Sequence, residues 1–132
     1  MADYNEVART NYFNVTDRVA FDKFISMIDE PVEVVTNDAG QVALLLEAGI
    51  PTMATVEDDA GCIEDEDIDF MAELSNFLTV GSVAIVTACG HERLRYIGGY
   101  AEAINSDGKR VSVGLNSIYD KAKSLGEGIT RA

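Results

Sequence analysis

Carboxylates are the one chemistry-bearing group that this chain concentrates. Glu57 to Asp69 reads E-D-D-A-G-C-I-E-D-E-D-I-D, eight acids in thirteen residues with no base among them. Such a stretch can bind hard cations, cap a helix, or offer a partner a row of negative charge. Asp65, Asp67 and Asp69 reproduce the first three ligand positions of an EF-hand calcium loop, where alternation aims oxygens at one ion. The rest of that template fails: its sixth position, a glycine for the sharp turn, is Phe70, and its twelfth, a bidentate Glu, is Asn76. No metal site is therefore expected. Cys89-Gly90-His91 sets the sole histidine beside a thiol, and a thiolate next to an imidazole can be nucleophilic. Adjacency in sequence is not the geometry such chemistry needs, and a hairpin turn accounts for Gly90 without it. No Walker loop, dinucleotide fingerprint, zinc spacing or serine elbow occurs. The expectation is a protein without enzymatic activity, catalytic residues or cofactor.

The acidic stretch is the centre of a longer interval. From Phe24 to Glu92 there are fifteen Asp or Glu residues and no Lys or Arg, while apolar residues run right through it. Residues 1–80 hold eighteen acids against Arg9, Arg18 and Lys23, a net of −15; residues 81–132 hold five acids against seven bases, a net of +2. The whole chain carries −13. That sign excludes the usual footprint of a nucleic-acid binder, which sets cations against phosphates, and disfavours anionic membranes. It steers a basic partner towards one end of the molecule, although acidity also serves plain solubility. The cysteines, Cys62 and Cys89, are too few for a disulfide framework and read as free thiols. With no apolar run of transmembrane length and no signal-peptide pattern, the chain is expected in the cytoplasm, with no membrane partner.

A chain of 132 residues, 47% hydrophobic, suits one domain. Residues 1–8 read as a flexible lead-in, 9–126 as the domain and 127–132 as a flexible tail. Arg9 to Val15 suggests a strand. Thr16 or Asp17 caps a helix that sets Phe21, Phe24, Ile25 and Ile28 on one side. Val32–Thr36 and Gln41–Leu46 flank a turn at Asn37-Asp38-Ala39-Gly40, and Thr52–Val56 makes a further short strand. From about Asp65 the period turns helical, with Phe70, Met71, Leu74, Phe77 and Leu78 as the stripe. That would crowd Glu64 to Asp67 around the helix's first turn, where acids offset the macrodipole. Strands at Ser82–Ala88, Leu94–Ile104 and Arg110–Gly114 follow as an antiparallel meander. A last helix, capped by Asn116, carries Ile118, Ala122 and Leu125. The predicted class is α+β: a single domain with a mostly antiparallel sheet of five to six strands packed by two to three helices.

The segment Arg9-Thr10-Asn11-Tyr12-Phe13-Asn14-Val15 with Asp17, and Leu94-Arg95-Tyr96-Ile97-Gly98-Gly99, resemble segments of small acidic proteins of uncharacterised function carried by bacterial plasmids, conjugative elements and phages. The resemblance covers about a fifth of the chain and implies a context, not a site. Small acidic proteins on mobile elements include many inhibitors of host restriction and CRISPR nucleases.

Charge and context together suggest mimicry of nucleic acid, with the chain filling the basic groove of a nuclease or other nucleic-acid-binding protein and binding no nucleic acid itself. Duplex DNA carries about one charge per 1.7 Å of axis. A wholly helical Glu57–Asp69 would span about 20 Å and carry one charge per about 2.5 Å. The expected contact residues are Glu57, Asp58, Asp59, Glu64, Asp65, Glu66, Asp67 and Asp69, extended by Asp29, Glu30, Glu33, Glu47 and Glu73 where the fold brings them alongside. The alternative is a protein-interaction module without mimicry, its acids serving solubility. Arg93, Arg95, Lys109 and Arg110 on the last hairpin offer a second contact, or a homodimer surface that receives the acidic face of another copy.

Overall fold

The computed structural model describes residues 5–57, 60–61, 63–93 and 96–130. Eight strands and three short helices follow one another as β1 (Asn5–Thr10), α1 (Arg18–Ser26), β2 (Val32–Thr36), β3 (Val42–Leu46), β4 (Met53–Glu57), β5 (Ile63–Asp67), α2 (Phe70–Ser75), β6 (Val83–Glu92), β7 (Tyr96–Asn105), β8 (Arg110–Gly114) and α3 (Ile118–Ala122), the last entered through a 3-10 turn at Leu115–Ser117. Six strands form one antiparallel sheet in the order β2-β3-β1-β6-β7-β8, while β4 and β5 form a separate two-stranded ribbon. The α+β class with an antiparallel sheet holds, with one strand more than the order read from sequence.

The sheet's inward face is packed by α1 and α2. Asp17 caps α1 by accepting from the Ala20 amide at 3.1 Å, which starts the helix so that Phe21 and Phe24 point into the core. They meet Phe70, Met71 and Leu74 of α2 over Val42, Leu44 and Leu46 of β3 and Ala84, Val86 and Ala88 of β6. All five phenylalanines join in one chain of ring contacts. Phe13 meets Phe21 and Phe21 meets Phe77 edge-on, at 6.1 and 5.8 Å, while Phe24 stacks on Phe77 and Phe70 at 5.3 and 6.1 Å. Strand β6 alternates buried and exposed along almost its whole length, so one face of it is core and the other is not.

Three expectations need correction. Residues 5–8 are no lead-in: β1 starts at Asn5 and pairs with β3 on one side and β6 on the other, at the centre of the sheet. Arg9–Val15 is strand only to Thr10, beyond which Phe13 and Val15 make isolated bridges to Val42 and Leu78. Second, the helix expected from Asp65 begins at Phe70, because Ile63–Asp67 turns back at Gly61 (φ +81°) and pairs with β4. A helix stacks like charges at i, i+3 and i+4, whereas a strand divides Glu64 to Asp67 two and two between its faces. Third, Ile118, Ala122 and Leu125 do not dock: α3 buries no residue and Leu125 is exposed.

Candidate partner-binding surface

The acidic stretch is folded as the β4/β5 ribbon. Its register sets Thr55 against Asp65 and Met53 against Asp67 on one face, and Val56 against Glu64 and Ala54 against Glu66 on the other. Glu64, Asp65, Glu66 and Asp67 are all exposed, and among the described residues the edge of β5 away from β4 has no strand beside it. Strand β4 is fixed on its opposite side by the segment that leaves α1. The Thr55 amide donates to Met27 O at 2.8 Å, the Asp29 amide to Met53 O at 3.1 Å, and Ile28 bridges Ala54. Ala54, 2% exposed, anchors the ribbon to the body of the protein.

That anchoring brings further carboxylates alongside. Asp29 and Asp65 both approach the Thr55 hydroxyl, Asp65 at 2.8 Å. One O–H proton serves one acceptor fully, so two negative groups are held around a single donor. Next in the chain, Glu30 accepts from the Thr52 amide at 3.2 Å and the Thr52 hydroxyl at 3.0 Å. Burial pushes its carboxyl up, yet these hydrogen bonds outweigh it and hold the group below its ordinary 4.5. Its second oxygen is buried without a hydrogen-bond partner among the described residues. Glu30, Glu47 and Glu6 then line one depression with Asn5 and Thr52. Glu6 lies against Gly49 (φ +83°), where a Cβ would collide with the Glu6 carboxylate. Carboxylates thus continue from β5 through Asp29 and Glu30 to the end of the sheet. On the other flank, Lys23 and Glu57 line a shallow depression beside Thr55 and Val56.

Of the expected contact residues, Glu57 ends β4 opposite Ile63, Glu64 to Asp67 form β5, and Asp58 and Asp59 lie outside the described residues. Asp69 does not belong with them. It caps α2 by accepting from the Ala72 amide at 3.3 Å and pairs with Arg110, which also holds Glu102. The Arg110 hydrogen bond, opposed by burial and aided by the Ala72 and Met71 amides, keeps the Asp69 carboxyl below its ordinary 3.8. Asp69 is a structural group, and Arg110 is spent on it. Thr55, Thr52 and Glu6 escaped the sequence analysis; the alternation of Thr55 with Met53 in a short strand was the available signal.

The calcium-loop pattern is dispersed, since Asp65 and Asp67 share a face of β5 while Asp69 turns to Arg110. Among the described residues no group of three or more His, Cys, Asp or Glu side chains converges as a metal site. Cys89 and His91 lie two positions apart on the same outward face of β6, about 7 Å apart along the strand and beyond hydrogen-bond reach. Their cross-strand neighbours are Val7 and Gly99, and Asn5 and Ile97. Among the described residues no helix is long and apolar enough to cross a membrane. Compared with known proteins, the chain matches no family model, no curated protein and no solved structure.

Proposed function

We propose that the protein is an acidic decoy of nucleic acid that binds the basic groove of a nucleic-acid-binding host defence protein, of the restriction or CRISPR nuclease kind, and inhibits it. The supporting observation is β5 itself, with four consecutive carboxylates that are all exposed. An extended strand rises about 3.4 Å per residue, so Glu64 to Asp67 carry one charge per about 3.4 Å of length, alternating between two faces at about 6.8 Å on each, against about 3.4 Å along one nucleic-acid strand. Asp29 and Glu30 lengthen the row, and the choice of a defence nuclease rests on the resemblance to proteins of mobile elements.

A second reading draws on the unpaired edge of β5. Charged side chains on an edge strand discourage other strands from adding to it, and the acids could serve that end alone. One experiment separates the two. A panel of restriction and CRISPR nucleases is assayed for DNA binding by fluorescence anisotropy, with the native chain or its E64Q/D65N/E66Q/D67N variant as competitor. Mimicry predicts inhibition of at least one nuclease that weakens as salt rises and disappears in the variant. Inhibition of none, or inhibition indifferent to salt and neutralisation, would reject it. A variant that only aggregates faster would favour edge protection.

A further inference from the structure

Among the described residues no α-helix covers the outward face of the six-stranded sheet, although Leu115 of the 3-10 turn reaches it at Gly99. On β1, β6, β7 and β8 the outward positions are Asn5, Val7 and Arg9; Val83, Ile85, Thr87, Cys89 and His91; Ile97, Gly99, Ala101, Ala103 and Asn105; and Val111 and Val113. None is an acid, in a chain with 23 Asp and Glu residues. Val7 is 53% exposed, Val111 71% and Val113 57%, and three adjoining depressions cover this face. The carboxylates of the β4/β5 ribbon sit elsewhere, beside the residues that leave α1.

We propose that this face binds the same face of a second copy, giving a two-fold dimer in which two sheets pack as a sandwich. This goes beyond the decoy reading and does not depend on it. Charge selects the occupant: two chains of −13 each repel over most of their surfaces, and the outward positions of β1, β6, β7 and β8, which hold no acid, are where they can meet, with Glu33 of β2 at the far edge of the same face. Shape selects it too. Two successive outward pairs across β6 and β7 set a larger residue beside a smaller one, Ile85 with Ala103 and Thr87 with Ala101, while the space over Gly99, opposite Cys89, is filled by Leu115 of the same chain. A two-fold axis between β6 and β7, parallel to the strands, lays the larger member of each pair over the smaller member of the same pair in the other copy. The surface is therefore self-complementary, as a closed two-fold interface requires. Beyond the centre, the same operation brings β8 of one copy over β1 of the other, so Leu115, which follows β8 and lies against Gly99, comes over Val7.

The area is sufficient. Four strands about 4.8 Å apart, of about eight residues at about 3.4 Å each, give a footprint of about 500 Å² per copy. The pair would bury about 1,000 Å² before corrugation is counted, the least area expected of a specific interface. Aligned sheets pack about 10 Å apart. In the dimer the two carboxylate surfaces remain free, so one assembly would present two of them.

The test is the mass of the native chain by sedimentation equilibrium at about 100 µM, in salt of about 0.05 M and about 0.5 M. A dimer that tightens with salt is expected, because salt screens the repulsion between two acidic bodies and leaves apolar contact intact. Thr87→Glu, at an exposed position, should weaken the dimer at least about 100-fold while its circular dichroism and melting stay native, since it places a charge at the centre of the interface. In a Cys62→Ser background, a bismaleimide spanning about 10 Å should link Cys89 to Cys89 of the second copy. A native chain that is monomeric at both salts, a dimer that dissociates as salt rises, a Thr87→Glu dimer of native strength, or the absence of a Cys89 cross-link would each overturn the proposal.

Discussion

Replacing Asp65 by Asn should make the fold more stable while weakening the proposed complex. The Asp29 and Asp65 oxygens lie 2.5 and 2.8 Å from the shared Thr55 hydroxyl oxygen, and hence at most about 5.3 Å from each other. At that separation two unit charges repel by about 0.8 kcal/mol in bulk water and about 3 kcal/mol at an effective dielectric of about 20. Both side chains are exposed, so solvent screening favours the lower figure. Asn keeps an acceptor for the hydroxyl and removes the charge. D65N should therefore gain about 0.5–1 kcal/mol at low salt, a rise of about 2–5 °C in Tm. In about 1 M salt, where the Debye length is about 3 Å, more than half of that gain should vanish. Urea denaturation at both salts measures it directly. Thr55→Val supplies the opposite sign, since it leaves two charges together without their shared donor. A D65N protein less stable than the native chain at low salt, or a gain indifferent to salt, would refute the view that Asp29 and Asp65 are held together against their own repulsion. A surface that costs stability to maintain is what a binding role explains and solubility does not.

Arg110→Ala should cost about 1 kcal/mol at neutral pH, because its pairs with Asp69 and Glu102 are partly exposed. It should also change the response to acid. A carboxyl depressed below 3.8, as Asp69 is, contributes stability present above that value and lost as pH falls through its lower folded pKa. Thermal melts from pH 7 downward should show the native chain losing more stability below about pH 4 than Arg110→Ala does. Phe21→Ala removes a fully buried ring that meets Phe13 and Phe77 and should cost about 3–5 kcal/mol in urea unfolding. Thr10→Val leaves the buried Leu44 amide without the hydroxyl that accepts from it at 2.9 Å, and should cost about 1–3 kcal/mol by the same measurement.

Much of the core was legible because its signals are local. The stripe of Phe21, Phe24, Ile25 and Ile28 behind the Asp17 cap, and the Asn37 to Gly40 turn between two apolar runs, need no distant partner to be understood. What was missed depends on distant partners. Asn5 to Ala8 carry too few apolar residues to announce a strand, and become one through β3 and β6. Residues 63–67 are four acids after one isoleucine and carry no apolar period of their own, so pairing with β4 decides their structure. The acidic surface was legible as charge but not as shape. Asp29 and Glu30 join it because the segment after α1 docks on β4, and Asp69 leaves it because Arg110 lies within reach. The exposed sheet face was not legible, since an apolar alternation such as Val111 and Val113 marks one face of a strand without saying whether anything covers it.

The position of β1 between β3 and β6 has a consequence for how the chain comes to be folded. Hairpin β2-β3 and meander β6-β7-β8 are each closed by short turns, but Ala8 faces Ala88, eighty positions away along the chain, and among the described residues β1 is the strand that joins the two units in the sheet. Closing so long a loop is slow compared with forming either hairpin, and during synthesis β1 must wait until β6 has emerged from the ribosome. In that interval both units show a bare edge. Fusions placed immediately before Asn5 would therefore burden the last step of assembly, and those placed after Thr130 would leave it free.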